Sequence, residues 1–416
     1  MADHARYLQR FIDPLIDELM ADLPAIMLLG PRATGKTTTA ARHARSVVRL
    51  DEAAAATAFE ADPDAALRRY AEPILLDEWQ AVPGVLGAVK RATDTGHGAG
   101  RFILTGSVRA EWDGSNWPGT GRVIRVDMTG ISMREADGLS SPSTFLDTIR
   151  AGRAESVTLP PATPDLGDYV DMALRGGFPD TMLSTSARAR RRWIDSYVHH
   201  VIHRDVEWLG ASRRDPELLR TYFEATALNM AGVPDHKTLY EAAGISRTTA
   251  DDYDKLLRNL LVTVSVPAWW TNRLKRLIRS PKRYLADPAL AVGLLGVDTQ
   301  TVLSDGDLLG RVLDNFVYTQ LRAELSVMDV GTRLYHLRQE GGRREIDLLI
   351  DMGAVGVIGI EIKAKAGPGR EHARHLEWLR DELGDQFLAG VVLHTGPHAY
   401  QLAERIIAAP ICTLWS

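Results

Sequence analysis

At 416 residues the chain is too long for one compact core, so two or three domains are expected. Apolar residues make up 45% and charged residues 25%, an ordinary globular balance, and a net charge of −5 supplies no global positive field for nucleic acid. The single cysteine, Cys412, excludes a disulfide framework, and no apolar run approaches the roughly 20 residues that span a bilayer. The first residues, MADHARYLQRFIDPLIDEL, carry acids and a helical period where a signal peptide would be basic and then apolar. The expectation is a cytoplasmic protein with no membrane partner.

Residues 7–20 alternate apolar and polar positions at helical spacing, and Pro24 ends that helix. AIMLLG (25–30) is a short apolar run stopping at glycine, as a buried parallel strand does. VVRLD (47–51), ILLD (74–77) and RFILTGS (101–107) repeat the pattern between helical stretches, and RVIRVDM (122–128) reads as a further strand. Alternating strands and helices imply βαβ units and a mostly parallel sheet, covered on both faces, over residues 1–137. Residues 138–166 are rich in Ser, Pro, Gly and Thr and read as a linker or insertion. Residues 167–232 are helical, broken at RGGFPD (175–180), and suggest a helical lid. Within 233–305 a helix, a turn at Ala243–Ser246, a second helix from Arg247 and the strand LLVTVSV suggest a winged helix. Over 306–416 a long helix precedes strands YHLRQ, REIDLLID and VIGIEIKA, a helix near 371–383 and strand LAGVVLHT, a second α/β domain. There is no internal repeat.

Gly30-Pro31-Arg32-Ala33-Thr34-Gly35-Lys36-Thr37 fits G-x-x-x-x-G-K-[ST], with an apolar strand before it and a helix after it. Its glycines let backbone N–H groups turn toward a phosphate beside a helix N-terminus. Lys36 is placed to reach the β/γ oxygens and the Thr37 hydroxyl to sit on magnesium, with Thr38 completing the candidate contacts; ATP and Mg2+ are the implied cofactors. Asp77 closes the strand ILL and is placed to hold magnesium, and Glu78 to polarise the attacking water. Thr105 and Ser107 end the next strand, where a hydroxyl can meet the γ-phosphate or the water; satisfying the strand end is the plainer role. Asp51 reads as structural.

GPRATGKTT, ILLDEWQ and RFILTGS, followed by GRV at 121–123, resemble the AAA-type ATPases that carry a C-terminal domain of unknown function. The likeness extends through WIDSYVHHVIHRDV (193–206) to the C-terminus; Trp79 stands where such proteins usually have Ile. Gly176-Gly177-Phe178-Pro179 resembles the lid motif of related signalling and origin-recognition ATPases, whose backbone packs on adenine, so Gly177 and Pro179 become candidate nucleotide contacts. The resemblance also implies an arginine that neutralises transition-state charge. Arg122, in the matching GR pair, leads; Arg109 and Arg204 are alternatives.

In the last domain Asp347, a gap of 14 positions, and Glu361-Ile362-Lys363 put two acids and a lysine on neighbouring strands, with Glu361 and Lys363 on one strand face. Two carboxylates beside a lysine are what metal-dependent phosphodiester cleavage requires, the acids holding magnesium and the lysine orienting water. This spacing resembles the restriction-endonuclease-like PD-(D/E)xK nuclease core. Asp314, on the preceding helix, stands where related proteins often carry a glutamate and would complete the metal set. Ser246–Thr249 and the cations Lys275, Arg276, Arg279, Lys282 and Arg283 form a recognition helix and wing in the winged-helix reading; a solvated face or subunit contact is the alternative. Arg343 and Arg344 could grip a phosphate backbone, whereas Trp269-Trp270 reads as packing and the twelve histidines show no zinc-like spacing with cysteine. The expected function is ATP hydrolysis that drives or gates action on nucleic acid, DNA ahead of RNA, with nuclease chemistry open and a homo-oligomer not excluded. The rivals are an ATP-controlled partner-binding switch with an inactive nuclease core, and a loader that does not cut.

Overall fold

The structure is a computed structural model that describes residues 7–96, 98–108, 121–138, 144–152, 156–205, 215–269, 280–328, 331–339 and 342–416, without the side chains of 204 and 205. Strands β1 (Ala25–Leu29), β2 (Ser46–Arg49), β3 (Ile74–Asp77), β4 (Phe102–Gly106) and β5 (Val123–Asp127) form a parallel sheet in the order β2-β3-β4-β1-β5. Around it lie α1 (Ile12–Asp22), α2 (Lys36–Arg42), α3 (Ala53–Ala61), α4 (Pro63–Leu67) and α5 (Val85–Thr95). Successive strand residues point to opposite faces. Met27, Leu29, Leu76 and Leu104 therefore meet Phe59, Val85 and Val89 on one side. Ile26, Leu28, Leu75 and Ile103 meet Ile12, Ile16 and Ala40 on the other. Two-sided burial explains why these strands read as continuous apolar runs. The exception is β2, expected to be buried: it pairs only with β3, lies at the sheet edge, and leaves Val47 44% exposed.

The chain continues through α6 (Met133–Ala136), α7 (Phe145–Arg150), α8 (Leu166–Arg175), α9 (Pro179–Met182), α10 (Ala187–His200), α11 (Pro216–Leu228), α12 (His236–Ala242) and α13 (Arg247–Asn259). The antiparallel hairpin β6 (Thr263–Val266) and β7 (Lys282–Leu285), then α14 (Leu290–Leu295) and α15 (Thr299–Ser304), follow. Residues 138–166 are more than a linker. Thr144 and Asp147 form a reciprocal capping box that starts α7, and Phe145, Leu146 and Ile149 are buried in the main core.

The C-terminal part begins with the long helix α16 (Gly306–Leu325) and carries α17 (Arg374–Leu383). Its sheet runs β12-β13-β11-β10-β9-β8, from β8 (Arg333–Gln339), β9 (Arg344–Asp351), β10 (Val357–Lys363), β11 (Phe387–His394), β12 (Tyr400–Ala403) and β13 (Ile406–Pro410). Helix α17 covers one face, its Leu376 and Leu379 clustering with Leu349 and Val392. The other face belongs to a continuous core that also contains Val170, Tyr222, Leu257, Leu285 and Leu313. Among the described residues no break in packing falls at 232/233 or 305/306, because helices α8 to α13, the hairpin and the second sheet bury their apolar faces against one another. No helix among the described residues is long and apolar enough to cross a membrane.

Candidate functional site

The phosphate loop links fully buried β1 to α2 and is shaped by close approach. A Cβ on Gly30 would meet the Met128 carbonyl oxygen at 2.1 Å, so no side chain fits there. Gly35 enters α2 in the left-handed region at φ +92, which favours glycine; Ala33 adopts φ 59 despite its side chain. Thr34 donates its hydroxyl to the Pro31 carbonyl at 2.9 Å. Lys36, 5% exposed, donates to the carbonyls of Gly30 at 3.0 Å and Pro31 at 2.8 Å. Burial pushes its ammonium down to about 8, against the opposing charges of Glu78 and Asp77. Its positive charge is thus turned into the loop and held by neutral carbonyls.

Asp77 ends β3 with 5% exposure. Its Oδ1 accepts the Thr37 hydroxyl at 2.7 Å and also the Thr105 hydroxyl from neighbouring β4. Glu78 follows in a left-handed conformation, φ 51, which turns its side chain away from the strand direction. Ser107 donates to its Oε2 at 3.1 Å, and the Gln80 amide contacts the same oxygen. The ends of β1, β3 and β4 therefore bring together the loop, Lys36, Thr37, Asp77, Glu78, Thr105 and Ser107. A hydroxyl and a carboxylate oxygen facing each other fit a magnesium ion that arrives with its nucleotide, and the donor-lined loop fits the phosphates. Thr38 is an exposed residue of the first turn of α2.

The other expected nucleotide contacts divide. The described part of α9 reaches the loop: a Cβ on Gly35 would lie 3.6 Å from Pro179 Cγ. Tyr197 donates to the Arg32 carbonyl at 3.5 Å and packs with Phe178 and Trp193. Gly177 is held by protein neighbours. Its carbonyl accepts the Ile131 N–H at 2.6 Å and its N–H donates to Asp287 Oδ2 at 2.7 Å, so both polar backbone groups serve protein contacts. Arg122 lies away from the loop of its own chain. It precedes Val123, which pairs with Ala25 at the end of the sheet opposite the loop, a separation of about 13 Å along the strand. There its guanidinium bonds Asp94 at 2.6 Å. Arg109 lies outside the described residues, as does the side chain of Arg204.

One residue escaped the sequence reading. Arg10, 5% exposed, donates to the carbonyls of Thr34 at 3.0 Å, Thr129 at 2.8 Å and Gly130 at 3.0 Å, and pairs with Glu135 at 3.1 Å. It ties the phosphate loop to the segment after β5. Its partners lie up to 125 positions away, so no local pattern marks it.

The second candidate cluster also assembles. Lys363 contacts Glu361 Oε2 at 2.7 Å and Asp347 Oδ2 at 3.9 Å, and Asp347 Oδ2 accepts the Ile362 N–H at 2.9 Å. Burial, with Asp347 adding to it, pushes Glu361 up to about 8. Asp314 comes in from α16, but Lys282 comes with it. The Lys282 ammonium lies 2.5 Å from Asp314 Oδ2 and 3.2 Å from Asp347 Oδ1, its side chain 4% exposed. Burial works against its charge, and Asp314 and Asp347 outweigh burial and raise it above the ordinary lysine range. A divalent ion bridging Asp314 and Asp347 would need the two oxygens this ammonium already takes, whereas buried Glu361 Oε1 has no hydrogen-bond partner among the described residues. Magnesium therefore does not fit between Asp314 and Asp347, and among the described residues no three His, Cys, Asp or Glu side chains form a metal cage.

The remaining cations and rings are partly committed. Arg344 stacks its guanidinium 4.3 Å over Trp378, and Arg283 pairs with Asp254. Ser246 caps α13 by accepting the Thr249 N–H at 3.1 Å. Trp269 packs in the core, its indole N–H on Asp351 at 3.1 Å, as expected. Trp270, Arg213, Arg214, Lys275, Arg276 and Arg279 lie outside the described residues.

This parallel sheet, with its loop and paired acids, defines a P-loop nucleotide-binding unit. Residues 22–136 match the family described as an AAA domain. Residues 166–301 and 309–414 match two further families described as domains of unknown function, DUF8612 and DUF4143. The first of these takes lid and hairpin together, in line with their shared core. Across most of its length the chain is similar to the uncharacterized proteins Mb2031c of Mycobacterium bovis and Rv2008c of Mycobacterium tuberculosis. Each is 26% identical over 393 residues, covering 93% of this chain and 80% of the relative.

Proposed function

We propose that the protein binds ATP with magnesium, hydrolyses it, and uses the cycle to switch its C-terminal half on a partner. The convergence of Lys36, Thr37, Asp77 and Glu78 at one end of the parallel sheet carries this reading. The loop N–H groups from Gly30 to Gly35 and the Lys36 ammonium hold the phosphates. Thr37 and Asp77 hold magnesium, which supplies charge neutralisation on the phosphate oxygens. Glu78 accepts the proton of the attacking water once it leaves Ser107 and Gln80, and Thr105 positions that water. Pro179 and Tyr197, resting on the loop, let the lid sense what the loop holds.

The same proposal divides the chain into an ATPase unit (1–137), a connector (138–166), a lid (167–232), a winged-helix-like part (233–305) and a nuclease-like core (306–416). The α12–turn–α13–hairpin order supports the fourth, and the helix–strand–strand–strand order with Asp347, Glu361 and Lys363 supports the last. Action on nucleic acid, DNA first, and an arginine supplied by a second copy of this chain belong to it as well. The test is ATP turnover of wild type and Lys36→Ala, with and without DNA or RNA, with strand integrity followed in the same tubes. Equal turnover in both proteins defeats the ATPase reading. The position of Lys282 favours a second reading of the C-terminal half, a core that binds a partner and does not cut; intact strands under nucleic-acid-stimulated turnover would separate the two.

A further inference from the structure

Asp314, buried, and Asp347, half-buried, are carboxylates that face the same point from different elements, α16 and β9. Such a pair needs a cation. Each oxygen has its donor: Asp314 Oδ2 takes Lys282 at 2.5 Å and Oδ1 the Tyr284 hydroxyl at 2.9 Å. Asp347 Oδ1 takes Lys282 at 3.2 Å and Oδ2 the Ile362 N–H at 2.9 Å. The ammonium has three N–H donors, and the Asp347 carbonyl at 3.2 Å provides a third oxygen beside the two carboxylates. Tyr284, two residues along the same strand, stacks on Tyr318 of α16 with ring centroids 4.0 Å apart, which fixes the strand that delivers the lysine. A cavity of about 390 Å³ opens beside the cluster, lined in part by Arg311, Arg338 and Lys363, so ions from solution have a route to it.

We infer that Lys282 is the built-in cation between Asp314 and Asp347, excluding a divalent metal from that pair, and that the core uses these acids to hold the β6–β7 hairpin. The inference deepens the second reading above and rests on the nuclease-like arrangement proposed there. A lysine is an ordinary partner for buried acids, so the distinguishing property is exclusion of metal.

The test is a titration of nucleotide-free, full-length protein with Mn2+, free ion being followed by electron paramagnetic resonance. Wild type, Asp347→Asn, Lys282→Met and the double variant Lys282→Met/Asp347→Asn are compared. Lys282→Met is expected to gain one Mn2+ site, at least ~10-fold tighter than any in wild type, and the double variant to lose it. Wild-type binding that disappears in Asp347→Asn, with no tightening in Lys282→Met, overturns the inference. Should Lys282→Met fail to fold in chelator, recovery of its thermal transition by Mn2+, and not by NaCl of equal ionic strength, supports it. If neither restores folding, wild type against Asp347→Asn decides: an Asp347-dependent site overturns it, and no such site upholds it. ATP turnover in the same wild-type preparation keeps the two proposals apart, since failure of hydrolysis leaves the Mn2+ result standing.

Discussion

The two sheets carry similar ingredients, acids with a lysine among them, but they settle their charges in opposite ways. At the first sheet Lys36 is held by the carbonyls of Gly30 and Pro31, and Asp77 by the hydroxyls of Thr37 and Thr105. Opposite charges are kept apart on neutral partners and remain to be claimed by an incoming anion and cation. At the second, Lys282 is bonded directly to Asp314 and Asp347, and Lys363 to Glu361. There the charges answer one another, although Glu361 Oε1 has no hydrogen-bond partner among the described residues. The difference separates a site organised for a ligand from one organised as a joint, and residue inventory alone does not reveal it.

Four measurements would break or sharpen that contrast. At the open site, Glu78→Gln is expected to lower ATP turnover by roughly 10²–10⁴-fold while nucleotide still binds, because it removes the acceptor for the water's proton. Unchanged turnover would strip Glu78 of that role. At the closed site, Lys282→Ala leaves buried Asp314 and half-buried Asp347 facing each other and should cost about 3–5 kcal/mol in denaturant unfolding. A loss below about 1 kcal/mol would mean the joint carries no load.

Between them lies Glu324 on α16, 3% exposed, which accepts the Leu146 N–H of α7 at 3.0 Å. Burial pushes its carboxyl up to about 7. A raised acid pKa means the folded state holds the proton more tightly. Stability is therefore fullest below the ordinary value of 4.5, falls as pH rises to about 7, and is flat above. Glu324→Gln should flatten that slope, the two proteins diverging by at most about 3 kcal/mol across the window. Identical pH profiles would refute it. Smallest of all, Arg122→Ala should leave turnover within about twofold, since its partner Asp94 lies at the far end of the sheet. A large loss would require that arginine to act on a second copy of the chain.

Much of the open site was legible in the sequence because its determinants are local. A strand, a glycine loop, a helix and an acid after the next strand each announce themselves within a few residues. The strand order was not legible, which is why VVRLD passed for a buried strand: its character depends on having only β3 beside it. Residues 138–166 misled by composition, although FLDTIR carried the apolar spacing that docks α7. At the second site Asp347, Glu361 and Lys363 were found from spacing, and Asp314 from the resemblance to related proteins. Lys282, in the polar stretch SPKRY, read as one more exposed cation, because the acids that claim it lie 32 and 65 positions away. Arg10 was missed for the same reason.

Strand β7 is held at one end by its first residue and at the other from just beyond it. Lys282 fastens one to the acids of α16 and β9, and Asp287, two residues past the other, bonds the Gly177 N–H of the lid turn. The turn in turn takes Ile131, just beyond the ATPase sheet. A short rod pinned this way cannot absorb displacement; it passes motion on or its pin shears. Any nucleotide-driven travel of the Gly177 turn must therefore either break the Asp287 bond or pull on the lysine seated among the acids.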